Sequence, residues 1–155
     1  MDKLDSTDAH ILDLLQRDGR AKRTTLAEAV GLSLPSTSDR MRKLEERGLI
    51  TGYHAVVDAK RLGHDVTVFV RVLSTGSEHY ATFMEAVAAM DEVQELHSIT
   101  GEGSHMIKAR IRDTSALEGL LGRIQALPGV RGTQTSIVLT TRKETRYVRP
   151  EPTAG

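Results

Sequence analysis

Thr24–Tyr53 reads TTLAEAVGLSLPSTSDRMRKLEERGLITGY, and its punctuation decides the N-terminal fold. Thr24 offers a hydroxyl to cap a helix. Leu26, Ala27 and Val30 then fall on one apolar face, and Gly31 suits a helix end at positive φ. After Leu32, Ser33 can cap a second helix, and Pro35 is tolerated in its first turn, where amides lack intrahelical partners. Only a few residues separate the two helices, the connection a helix-turn-helix requires.

On a wheel of 3.6 residues per turn, Thr37, Met41 and Leu44 face inward with Leu34 beside them. Ser36, Arg40, Lys43 and Arg47 follow one another at i, i+4, i+7 and i+11 on the opposite side. An Arg fork matches guanine O6 and N7, a Ser hydroxyl donates or accepts, and Lys is a phosphate-seeking point charge. The stripe therefore predicts a recognition helix for the major groove of double-stranded DNA. Ser36, Ser38 and Arg40 are expected near base edges, and Arg42, Lys43 and Arg47 near phosphates. Thr25, Ser33 and Thr37 complete the candidate DNA-facing set.

Bulk charge is silent, because 21 Lys and Arg balance 21 Asp and Glu over 155 residues. The distribution is informative: residues 20–47 hold seven cations against four anions, whereas residues 1–19 hold two against five. So modest a local field implies weak binding by one copy and stronger binding by a pair. The chain has no cysteine, which removes disulfides and Cys-based metal or nucleophile sites. Without Trp and with two Phe, it lacks the stacking platform of a single-strand binder. No apolar run approaches membrane-spanning length and no signal-like start is present, so the expectation is a cytoplasmic protein with no membrane partner.

Upstream, a first helix is expected from Asp5 or Ser6 to Arg17, with Ile11, Leu12, Leu14 and Leu15 in its core and Asp18-Gly19 as its stop. Downstream, LITGYHAVVD turns to rough alternation, a strand or small wing, which closes a DNA-binding domain over residues 1–59. Residues 60–65 read as a linker. Residues 66–141 read as two β-α-β units. Val66, Val68, Val70 and Val72 alternate with Thr67, Phe69, Arg71 and Leu73. A helix through Tyr80, Phe83, Met84, Val87 and Met90 leads to a strand at Val93–Thr100. Strand Met106–Arg112 buries Ile107, Ala109 and Ile111, a helix carries Leu117, Leu120, Leu121, Ile124 and Leu127, and a last strand runs from about Val130 to Leu139. The fold class is α+β: a winged helix-turn-helix followed by a ferredoxin-like βαββαβ sandwich with both helices on one face of an antiparallel sheet. The other face needs cover, and a second copy supplies it in a homodimer. Residues 142–155 form a tail, read as an extended, solvated terminus.

The whole pattern resembles the Lrp/AsnC family of prokaryotic regulators. The carriers are LDSTDAHILDLLQRDGR at Leu4–Arg20, LAEAVGLS at Leu26–Ser33, RMRKLEERGLITGY at Arg40–Tyr53, ITGE at Ile99–Glu102, and LPGV followed by TSIVL near the end. The resemblance implies a transcriptional regulator, dimeric and often tetrameric or octameric, that binds paired DNA sites. It also implies an amino-acid effector sensed by the C-terminal, RAM-type domain, and no cofactor. The effector loop of the family corresponds here to Gly101, Glu102, Gly103, Ser104 and His105, with Thr133 and Thr135 as candidate hydroxyls from the last strand. Glycines let amides approach an α-carboxylate, and Glu102 can pair with an α-ammonium. The chain departs from the family's TG-x-x-D pattern, which an aromatic residue follows: Ser104 replaces the carboxylate and His105 follows.

Two rival readings remain in view. An architectural DNA-binding protein without effector shares the same helices. Siroheme decarboxylases are similar in fold, and Arg110 or Arg112 with His97 or His105 would then play catalytic parts. Neither a catalytic nor a metal residue is assigned, since a pair of histidines is too few for a convincing metal site.

Overall fold

The computed structural model describes residues 4–153. They form two compact units: residues up to Val56 together with those from Lys143 onward, and Val57–Arg142.

In the first unit, α1 (Ser6–Arg17), α2 (Arg23–Val30) and α3 (Leu34–Glu46) follow in order. Asp5 caps α1, its side chain accepting from the Asp8 amide at 2.7 Å. α3 starts as its sequence predicts, with Ser33 accepting from the Ser36 amide and Pro35 in the first turn. The start of α2 differs from expectation: the helix begins at Arg23, and Lys22 occupies the cap position without a side-chain bond, so Thr24 lies inside the first turn. Gly31 ends α2 at φ 67°, and its amide bonds the Ala27 and Glu28 carbonyls. Ile11, Leu15, Leu26, Met41 and Leu44 form the core, each contributing on the order of 1.5–3 kcal/mol by leaving water. The expected wing strand is not formed, since residues 51–58 are in neither helix nor strand.

The second unit is βαββαβ: β1 (Val66–Ser74), α4 (Tyr80–Ala88), β2 (Val93–Ser98), β3 (His105–Ile111), α5 (Thr114–Gln125) and β4 (Val130–Ile137). The sheet order is β2-β3-β1-β4 with every pair antiparallel. Val68, Val70 and Val72 of β1 share a core with Ile107, Ala109 and Ile111 of β3, and with Phe83, Val87, Leu117, Leu120 and Ile124 of the helices. Both helices therefore cover one sheet face, as the alternation in β1 and β3 requires. On the other face, Phe69 remains 38% exposed.

Candidate nucleic-acid interface and effector loop

On α3, Ser36, Arg42 and Lys43 are exposed, and Ser38 and Arg40 are half-buried. Thr25 and Ser33 lie on the surface as well. Thr37 corrects the DNA-facing set: it is fully buried, and its hydroxyl donates to the Ser33 carbonyl at 3.1 Å. Its place on the wheel beside Met41 and Leu44 accounts for this, because that side packs on α1 and α2. Asp8, Ser36, Asp39, Arg40, Lys43 and Arg47 line one open hollow beside α3.

The cationic stripe is not a row of bare charges. Nη1 of Arg40 donates to Asp5 Oδ2 and to Asp8 Oδ1, both at 2.7 Å, and Arg47 approaches the other Asp8 oxygen at 3.9 Å. The base-edge assignment of Arg40 therefore meets a competing role within the protein. Arg42 pairs with Asp39 and Glu46, and Lys43 with Asp39 at 2.8 Å. These contacts have electrostatic signatures. The Asp5 carboxyl is held below its ordinary range, first by the Asp8 amide, against the opposing effect of burial, and then by Arg40. Lys43 and then Arg42 lower Asp39. The sequence marked Asp5 only as a candidate start of the first helix. The i, i+3 spacing of Asp5 and Asp8 puts them on one side of α1, but that they meet α3 depends on how the helices pack.

In the second unit, Gly101 and Gly103 take φ of 91° and 88°. A Cβ on Gly103 would lie 2.7 Å from Arg71 Cγ and 2.9 Å from the Val72 carbonyl oxygen, so only glycine fits there without displacement. Glu102 projects outward, its side chain 86% exposed and 3.8 Å from the Arg71 guanidinium. These three residues form an accessible rim.

Ser104 and His105 turn inward instead. The Ser104 amide donates to the Val72 carbonyl at 2.9 Å, and its hydroxyl lies 2.6 Å from that of Ser74 and 2.8 Å from His105 Nδ1. His105 is fully buried between Tyr80 and Phe83, with ring centroids at 4.6 and 4.7 Å. Its Nε2 has no hydrogen-bond partner among the described residues, and burial lowers its pKa. Direct effector contact by His105 is therefore corrected: its even-numbered neighbours Met106 and Lys108 face the open side, and His105 faces the helices. Thr133 and Thr135 pair with Val72 and Val70 and share their helix-covered face. The Thr133 hydroxyl accepts from Gln125 at 2.7 Å, and the buried Thr135 hydroxyl lacks a partner among the described residues. The sequence separated strand from helix here but could not show which hydroxyls the helices claim.

His97 and His105 do not meet as a ligand pair. His97 pairs with Met106, and His105 with Ser98, so their side chains take opposite faces. Among the described residues no group of three or more His, Asp and Glu is placed to hold a metal ion. No described helix is long and apolar enough to cross a membrane.

Residues 65–148 match the Lrp/AsnC ligand binding domain, and residues 4–51 match a winged helix-turn-helix DNA-binding domain. The leucine-responsive regulatory protein of Escherichia coli K12 is 38% identical over 144 residues, covering 91% of this chain and 88% of the relative. The structure of E. coli AsnC superposes with a TM-score of 0.88 at 31% identity, covering 95% of this chain and 99% of that one. A feast or famine regulatory protein from M. tuberculosis, complexed with L-methionine, superposes with a TM-score of 0.88 at 33% identity and the same coverages. The helix-turn-helix, the βαββαβ sheet and these likenesses agree over nearly the whole length: the chain belongs to the Lrp/AsnC family of transcriptional regulators.

Proposed function

We propose that this protein is a sequence-specific, amino-acid-responsive regulator that works in the cytoplasm as a homodimer or higher oligomer and has no catalytic activity. The observation that carries the reading is the presence, in one chain, of a capped recognition helix and an Lrp/AsnC ligand binding domain with a glycine-flanked Glu102. Ser36 and Ser38 approach base edges. Arg42 and Lys43 exchange carboxylate partners for DNA phosphates, which costs little because their pairs are exposed and such pairs are worth about 0–1 kcal/mol, and Arg47 adds a phosphate contact from the end of the same helix. Thr25 and Ser33 lie alongside as further polar contacts. At the other site, the amides of Gly101 and Gly103 and the Glu102 carboxylate receive the zwitterionic part of an amino acid.

A relative from Neisseria meningitidis, solved in complex with L-Met, is 29% identical with a TM-score of 0.88, which supports a free amino acid as the ligand class. Footprinting on the protein's own promoter region, at fixed salt and with each of the twenty amino acids in turn, tests the reading. Discrete protection that one amino acid shifts is the expected result. Protection indifferent to all twenty would leave an architectural role, and absence of protection would overturn the regulator reading.

A further inference from the structure

The C-terminal tail belongs to the DNA-binding unit, in contrast to the solvated terminus its composition suggests. After the second unit ends at Arg142, residues 147–153 lie along α1 and are held by specific bonds. The Gln16 side-chain amide makes a reciprocal pair with the Val148 backbone: Nε2 donates to the carbonyl and Oε1 accepts from the amide, each at 2.8 Å. The Tyr147 hydroxyl donates to Asp13 at 2.6 Å. Arg17, itself paired with Asp13 at 2.9 Å, sits 5.1 Å from the Tyr147 ring centroid, within cation–π range. At the far end, the Thr153 amide donates to the Leu4 carbonyl, and the Leu4 amide donates to the Thr153 hydroxyl, both at 3.0 Å. The matching groups on α1, the carboxylate of Asp13, the side-chain amide of Gln16 and the guanidinium of Arg17, thus lie within little more than one helical turn, and an unstructured terminus does not need such a surface.

The chain therefore passes between the two units twice, at Val56–Val57 and at Arg142–Lys143. We propose that residues 143–153 act as a latch, giving the DNA-binding unit a second attachment and so narrowing the range of half-site spacings that a dimer accepts. This rests on the reading of the protein as a regulator that binds paired sites. Without the latch, the segment that precedes β1 is the remaining covalent connection of the DNA-binding unit to the second unit. Two such units in a dimer then sample a wider set of separations, and binding at the second half-site depends less on spacing. Helix-turn-helix dimers read half-sites one helical turn apart, so spacing is a sensitive measure of this freedom.

The test is a titration of the full-length protein on duplexes carrying two copies of its footprinted half-site, with the spacing varied in single base pairs over one helical turn. Wild type is expected to vary in affinity by about tenfold or more across the series. The Gln16→Ala/Tyr147→Ala double variant is expected to vary by no more than about threefold while binding a single half-site as wild type does. Amide exchange at Val148 reports release of the latch directly and should accelerate in the double variant. A chain ending at Arg142 should repeat the flattened profile; if it fails to fold, the double variant still decides. A flat wild-type profile, an identical profile in both proteins, or unchanged Val148 exchange would overturn the latch. Failure of wild type to protect any DNA would instead overturn the regulator reading.

Discussion

Arg40 of the recognition helix and Asp8 of the first helix are joined at 2.7 Å, and the same guanidinium nitrogen also bonds Asp5 at the cap of that helix. The Asp8 side chain is only 12% exposed. The contact ties α3 to the start of α1, so the cation best suited to read guanine is engaged inside the protein.

The Arg40→Ala substitution is therefore expected to destabilise the helical unit by about 1–3 kcal/mol, because it leaves the Asp8 carboxylate without its close cation. DNA affinity should fall for all sequences together. Thermal unfolding alongside binding to operator and mutated-operator duplexes checks this. Normal stability with relaxed preference at one base pair would return Arg40 to base reading.

Lys43 is 59% exposed in its side chain and paired with the exposed Asp39. Lys43→Ala should leave the fold intact, weaken operator and non-operator DNA alike, and reduce the slope of log affinity against log salt by about one. A salt titration of wild type and variant measures that slope.

The two loop glycines separate strain from contact. Gly103→Ala forces a Cβ against Arg71 and the Val72 carbonyl at φ 88°, whereas Gly101 has open space and only the strain of φ 91°. Gly103→Ala should cost about 1–3 kcal/mol and Gly101→Ala less. Equal melting temperatures for the two variants would contradict the packing of Gly103.

Glu102→Gln removes a charge from a side chain that is 86% exposed, so stability should change by less than about 0.5 kcal/mol. Amino-acid affinity should fall about fivefold or more if the carboxylate pairs with the α-ammonium. Calorimetric titration of the ligand found by footprinting decides, and unchanged affinity would remove Glu102 from the site.

His105 makes stability depend on pH. Its folded pKa is depressed below the ordinary 6.5 by burial, so the unfolded chain binds the proton first as pH falls. The contribution is intact above pH 6.5 and is lost as pH drops from there toward the folded pKa. Unfolding of the wild type between pH 7.5 and 5 should show this loss, and His105→Leu should flatten it.

Most of the architecture was legible because it depends on local patterns. Alternating valines in β1, buried at Val68, Val70 and Val72, specify which face meets the helices. Ser33, Pro35 and Gly31 place the helix boundaries through backbone chemistry confined to a few residues. The α2 start was less legible because Lys22 supplies no side-chain cap. No strand forms in residues 51–58, because alternation in LITGYHAVVD specifies a face but not a partner strand. Thr37 was already on the inward side of the wheel, at odds with its place in the DNA-facing set, whereas His105 is a polar residue whose burial depends on neighbours distant in the chain, Tyr80 and Phe83.

The sequence by itself determined the order of elements, the helix-turn-helix and the family, since periodicity, caps and motifs are local properties. Tertiary structure alone decided that Arg40 meets Asp5 and Asp8, that Ser104 and His105 turn away from the loop surface, and that Tyr147 and Val148 dock on α1. The physical reason is common to all three. Hydrogen bonds and ion pairs are short-ranged, and the Tyr147–Asp13 bond joins residues 134 positions apart, so no local pattern announces the partner.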